Sequence, residues 1–278
     1  MPKLIPQNLS GVAETLLIPL CVRAVEYQRA DALIKDEKAV ELVRQLGYDP
    51  SQVLAKIAEE TRVAKLLCAR QIDRCAQDFI RRCPQAVVVH IGCGLDTRFE
   101  RVDNGQVDWY DLDLPAVIDL RRMLLGGESA RYHMLAGSAL EAGWLETLPS
   151  GASGSPRPVM FLAEGVLLYF EEAQVKTLVL TLQAHFPGAE LVFDAFSPFL
   201  IWANNLRVTR THVGTPAYWG LKRGKDLESW GEGIRLLEEW FPYLIPEPRL
   251  RQMRWVRFMP LLTRSIGLFH YRLGEIVR

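Results

Sequence analysis

The sequence predicts an α/β fold of the doubly wound kind, a mostly parallel sheet with helices on both faces. Three stretches predict it. Residues 86–91 form a short apolar run rich in β-branched residues that closes on Gly92-Cys93-Gly94. A run of that length, bounded by turn signals, reads as a strand buried on both faces. Residues 107–112 form a second strand ending in Asp113. Residues 158–163 form a third that runs straight into Glu164. Strand, glycine loop, helix, strand and acid make the nucleoside-binding half of such a sheet, in which the acid at the second strand's tip can hold a ribose.

The elements follow in order. Residues 15–30 read as a helix, apolar early at Leu16, Leu17, Ile18 and Leu20. Residues 36–46 read as a second, with Val40, Leu42, Val43 and Leu46 on its apolar face and Gly47 as its stop. Residues 52–82 are a longer helical region with a break near Glu60, in which Cys68, Ile72, Cys75 and Phe79 recur at helical spacing. Pro84 ends it. Residues 1–84 are thus expected to be an N-terminal helical cap on a core of residues 85–278, together one compact unit. The cap either covers a ligand or is an ordinary packing extension.

After the glycine loop, Asp96 or Thr97 is placed to cap a helix. Pro115 starts the next helix, which Gly126 and Gly127 stop. Residues 131–135 suit a short strand, followed by Gly137-Ser138-Ala139-Leu140. Residues 150–156, rich in glycine and serine, read as a surface loop. An amphipathic helix is predicted over 172–186 and a strand over 190–195, with Asp194 near its end. Residues 197–224 carry Trp202, Asn204, Asn205, His212, Tyr218 and Trp219 without clear periodicity, and read as an insertion that walls a substrate pocket. Residues 234–240 fit strand and helix equally, 249–262 read as a basic amphipathic helix, and 267–273 as the last strand.

With 278 residues, 49% of them apolar, the chain has ample material for one large core. Lys plus Arg and Asp plus Glu both total 33, so the formal charge is zero, which argues against general nucleic-acid binding. No run approaches the length needed to span a membrane. The five cysteines form no C-x-x-C pair, and their odd number suits a reducing cytoplasm. The first residues lack the pattern of a signal peptide.

The spacing of the loop points to the ligand. A dinucleotide loop carries a third glycine three residues after the second, for close helix packing under a pyrophosphate. Thr97 stands there instead. A ligand without pyrophosphate is favoured, with S-adenosylmethionine the foremost candidate; the alternative is that Gly92 and Gly94 merely make a tight turn. Glu164 is a charge flanked by apolar residues at the sheet edge where such folds bind ligands. Its neighbour Tyr169 offers a hydroxyl.

The sequence resembles the leucine carboxyl methyltransferase family, in its bacterial polyketide-tailoring branch of O-methyltransferases. The resemblance rests on residues 88–98, ending Gly-Cys-Gly-Leu-Asp-Thr-Arg, on Tyr110-Asp111-Leu112-Asp113-Leu114-Pro115, and on Ala163-Glu164-Gly165-Val166-Leu167-Leu168-Tyr169. It implies a Rossmann-like class I fold with a seven-stranded sheet and S-adenosylmethionine as cofactor. By the same resemblance Gly92, beside Gly94, lies under the methionine portion and Asp113 accepts the ribose hydroxyls. Ser138 and Ala139 stand beside the adenine, serine replacing the acid the family uses. Glu164 lies near the amino group or sulfonium. The family also places an arginine, in the pattern Arg-x-x-x-x-Asp, against the cofactor carboxylate. Counted back from Asp73, that position is Cys68; Arg70, two residues on, and Arg62 are the substitutes considered.

The implied reaction is methyl transfer to a carboxylate or hydroxyl of a small molecule, less readily to a protein C-terminus. A carboxylate needs no base, whereas a hydroxyl benefits from one. Of the five histidines, His90 sits inside a strand and reads as a core residue. Tyr169 and His212 are the catalytic candidates. No metal-ligand cluster is expected. Two other functions remain open: a non-catalytic binding protein of the same fold, and a nicotinamide-dependent oxidoreductase, against which Thr97 argues.

Overall fold

The computed structural model describes residues 13–55, 57–149, 157–211 and 214–275. Seven strands form one sheet: β1 (Val87–Ile91), β2 (Asp108–Asp113), β3 (Tyr132–Ala136), β4 (Val159–Ala163), β5 (Ala189–Phe196), β6 (Arg235–Trp240) and β7 (Ile266–Leu273). Their order is β3-β2-β1-β4-β5-β7-β6. β7 alone is reversed, running antiparallel to both β5 and β6. The order switches direction between β1 and β4, and ligands of open α/β sheets bind in the crevice at such a point.

The central strand shows why its sequence is apolar at every position but His90. Val87, Val89 and Ile91 pack into one core with Phe161 and Val175. Val88, between them in sequence, packs into a second core with Ile72, Phe79 and Trp109. Successive side chains of a strand point to opposite faces, so a strand covered on both sides is apolar except where a buried polar group has a partner, as His90 has in Arg98.

Among the described residues, four helices precede the sheet: α1 (Ala13–Tyr27), α2 (Glu37–Leu46), α3 (Pro50–Leu54) and α4 (Glu59–Arg82). The break expected near Glu60 falls between α3 and α4. Asp36 caps α2 by accepting the Ala39 N–H at 3.0 Å, and Gly47 stops it at φ 68°. The cap shares its core with the sheet layer: Leu16, Leu20, Leu42 and Leu46 pack with Leu66 of α4, Leu95 of the glycine loop, and Val117 and Leu120 of α6 (Pro115–Leu125). α1 therefore lies directly over the glycine loop.

Three local expectations are corrected. Thr97 precedes the short helix α5 (Arg98–Val102) but makes no capping bond; its hydroxyl donates to Asp36 at 2.7 Å instead. The start of the aperiodic insertion is an ordered helix, α8 (Pro198–Thr211), after α7 (Glu172–His185). Asn205 of α8 holds the following segment, bonding both the N–H and the C=O of Ala217 at 2.9 and 2.6 Å. The basic helix expected over 249–262 is a 3-10 segment, Pro248–Phe258, followed by the short α9 (Pro260–Thr263). Pro260 offers no N–H to continue a helix through it.

Candidate active site

The strand register brings the motifs into a single row. Leu112 of β2 pairs with Ile91 of β1, Ile91 with Ala163 of β4, and Ala163 with Phe193 of β5. The next residue on each strand is Asp113, Gly92, Glu164 and Asp194. These four stand side by side at the C-terminal edge, spanning about 14 Å at three inter-strand spacings. At the β2 end of the row, Asp113 accepts the N–H groups of Gly94 and Leu114, each at 2.7 Å. The left-handed turn at Gly94 (φ 51°) lets that N–H point back to the acid. Burial pushes the Asp113 carboxyl up, and the two backbone bonds oppose it. Gly92, at φ 63°, lies so close under Val166 that any side chain would collide with Val166 Cγ2.

Beneath the row is a buried ionic network. Arg98 is 1% exposed; its Nε donates to Asp73 at 2.6 Å and its Nη2 to Glu164 at 2.6 Å. Its Nη1 lies 3.2 Å from His90 Nε2. A guanidinium only donates, so that nitrogen accepts and the histidine proton sits on Nδ1, 3.6 Å from Asp111. Arg101 bonds Asp73, Asp36 and Asp96 at 2.8–3.0 Å, and Arg23 bonds Asp36 at 2.9 Å. Arg121 pairs with Asp111 and also donates to the carbonyls of Gly94 and Asp96 at 2.8 Å. Burial pulls the Arg98 guanidinium down, but Asp96, Asp73 and Glu164 more than offset this and raise it. It therefore stays charged and clamps Glu164.

This network is what sequence reasoning missed. Arg98 and Asp73 belonged to recognised motifs, yet nothing in either motif says they bond across 25 residues. The signal was a cluster of charges in otherwise apolar segments, each needing a partner.

Asp194 differs from its neighbours. It is 8% exposed and accepts the Gly165 N–H at 2.6 Å. Among the described residues, neither it nor Asp113 has an ion-pair partner. Burial, and then the charge of Glu164, push its carboxyl up to about 6. Tyr169 is half-buried beside it, in a 3-10 turn packed on Ile201 of α8; burial and then Asp194 raise its phenol. That keeps Tyr169 neutral, a hydrogen-bond donor rather than a base.

The remaining expected residues are dispersed. Ser138 and Ala139 follow β3, with Ser138 Oγ accepting the Leu140 N–H at 3.2 Å. Ala139 lines a cavity of about 340 Å³ against Trp144 and Leu178. Arg70 lies about 200° around α4 from Cys68, and after burial the charges acting on it are Arg74, Glu247, Arg249 and Glu26, none of them in the row. Cys68 is buried, and burial, then Asp194 and Glu164, raise its thiol well above normal, which leaves no thiolate for chemistry. His212 lies outside the described residues. The tertiary structure also gathers Cys75, Glu238 and His270, with ligand-type atoms within 4.8 Å of one another, although no such cluster was expected. They lie away from the glycine loop, where His270 Nε2 meets Glu190 at 2.8 Å.

A carboxylate held by backbone donors alone, beside two left-handed glycines, suits the diol of a ribose; a row with no basic patch does not suit a pyrophosphate. Comparison with known proteins agrees. The leucine carboxyl methyltransferase family model matches residues 17–183. The chain belongs to this family. It is 34% identical over 277 residues to the tetracenomycin polyketide synthesis O-methyltransferase TcmP of Streptomyces glaucescens, covering 95% of this chain and 97% of that one. It is 29% identical over 255 residues to the S-adenosyl-L-methionine-dependent methyltransferase dpfgK of Gibberella zeae, covering 84% and 83%. A crystal structure of a putative methyltransferase from Thermobifida fusca shares the fold at TM-score 0.57 and 13% identity, covering 91% and 94%. This member of the family is an S-adenosylmethionine-dependent O-methyltransferase.

Proposed function

We propose that the enzyme binds S-adenosylmethionine along the row from Ser138 and Ala139, through Asp113 and Gly92, to Glu164, and methylates an oxygen of a small molecule entering on the β5 side. The observation that carries this is the alignment of Asp113, Gly92, Glu164 and Asp194 at one edge. Asp113 accepts the ribose hydroxyls. Gly92 and Gly94 let the backbone approach the ligand, and Ser138 and Ala139 flank the adenine. Glu164, oriented by Arg98, offsets positive charge on the amino-acid end.

The cofactor supplies a methyl group on a sulfonium, whose charge disappears on transfer. The protein's contribution is alignment in a site that α1 covers on the glycine-loop side. Tyr169 donates a hydrogen bond that orients the acceptor oxygen. Phe199 and Trp202 of α8, and Tyr218 after it, are exposed aromatic side chains suited to a partly apolar acceptor. Zero net charge supports a small-molecule acceptor over nucleic acid. No helix among the described residues is long and apolar enough to cross a membrane. All five cysteines are free, which supports a reducing cytoplasm.

Titration calorimetry with S-adenosylhomocysteine tests the placement. Binding in the micromolar range that is lost in Asp113→Ala supports it. Absence of heat at millimolar ligand overturns it.

A further inference from the structure

We propose that Lys65 holds the carboxylate of the cofactor's amino-acid portion. This rests on the placement of the cofactor along the row. S-adenosylmethionine ends in an ammonium and a carboxylate, and the row treats them differently. The ammonium suits Glu164 and Asp194. The carboxylate would face three acids, Asp113, Glu164 and Asp194, and needs a cation to enter a partly desolvated site.

The arginines around the glycine loop are already engaged. Arg23, Arg98 and Arg101 hold Asp36, Asp73, Asp96 and Glu164, and Arg121 holds Asp111. Turning any of them to a ligand would strand a buried carboxylate. Arg70 answers to Arg74, Glu247, Arg249 and Glu26, none of them in the row.

Among the described residues, Lys65 is a cation at this end with no partner to give up. It lies on α4 one turn before Cys68, and residues three apart on a helix are neighbours on its surface. Its charge acts on both Cys68 and Asp194. It is exposed, and among the described residues its ammonium has no hydrogen-bond or ion-pair partner. An ammonium on a flexible four-carbon stem can reach toward the row without breaking an existing pair. The competing cation is Arg62, one turn earlier on the same helix, whose Nε is buried without a partner.

The test compares S-adenosylhomocysteine with 5′-methylthioadenosine, which keeps the nucleoside and thioether but lacks the amino acid. Both are titrated calorimetrically into the full chain. Lys65→Met is expected to weaken S-adenosylhomocysteine about tenfold or more and leave 5′-methylthioadenosine unchanged. Lys65→Arg is expected to restore affinity to within about threefold, and Arg62→Met to leave both ligands within about threefold. Unchanged S-adenosylhomocysteine affinity in Lys65→Met overturns the assignment, as does equal loss of both ligands. A selective loss in Arg62→Met alone transfers the role to Arg62. If the unaltered protein binds neither ligand, the placement along the row fails, and this assignment with it.

Discussion

Asp113 and Asp194 close the two ends of one row, and they are the two carboxylates in it that, among the described residues, form no direct ion pair. Glu164, between them, is pinned by Arg98 at 2.6 Å. The interior acids Asp36, Asp73 and Asp111 are likewise paired with arginine. Unpaired buried charge is unfavourable, and a protein tolerates it most readily where a ligand will supply the missing partner.

Asp194 sets a pH dependence. Its carboxyl is pushed from 3.8 up to about 6 in the folded state, so the native protein holds a proton that the unfolded chain releases between those values. Stability therefore falls as pH rises through that window, and the penalty is complete above it. Asp194→Asn keeps an acceptor for the Gly165 N–H but cannot ionise. Urea unfolding should show the variant more stable than the parent by roughly 1–3 kcal/mol at pH 8, with no gain at pH 4. A variant equally destabilised at both pH values would show that Asp194 carries no such penalty.

Arg98 should be far costlier to remove. Arg98→Met leaves Asp73 and Glu164 without their closest donor, and breaking a buried pair on one side costs about 3–5 kcal/mol. Denaturant unfolding checks the magnitude. A loss under about 1 kcal/mol would mean that the network around Arg101 compensates.

Gly92 combines two constraints that a double variant separates. Gly92→Ala should destabilise by roughly 1–3 kcal/mol from its left-handed backbone alone, with the collision against Val166 added. Val166→Ala in the same chain should recover the collision part and leave the backbone part. Thermal unfolding of the single and double variants measures both. An additive double variant would contradict the close approach.

Asp113→Ala should loosen S-adenosylhomocysteine by about 10- to 100-fold, the worth of one or two hydrogen bonds to a charged group. Asp113→Asn, which still accepts a backbone N–H, should lose less. Circular dichroism should show both variants folded; an unchanged affinity in Asp113→Ala would place the ribose elsewhere.

Much of the site was legible because its signals are local. The glycines at 92 and 94 and the acids at 113 and 164 end apolar runs, and a strand with a polar residue at its tip announces an edge. The replacement at Cys68 was also plain. Arg70, two residues on, was the nearest cation in the chain, but two residues turn a helix by about 200°, and the charges that act on it are Arg74, Glu247, Arg249 and Glu26, none of them in the row. Asp194 was visible as a strand end without any sign of its isolation. Whether an acid has a cation beside it depends on residues far away in sequence.

The sequence by itself determined the α/β class, the order of strands and helices along the chain, the glycine loop and the family. These follow from periodicity, turn chemistry and short motifs, which act over a few residues. The tertiary structure decided the row itself, because parallel register aligns positions 92, 113, 164 and 194 only after three strand pairings are made. It also decided which charges cancel: Arg98 meets Asp73 and Glu164 across 25 and 66 residues. Burial makes each of those pairings obligatory, and burial is a property of the packed chain.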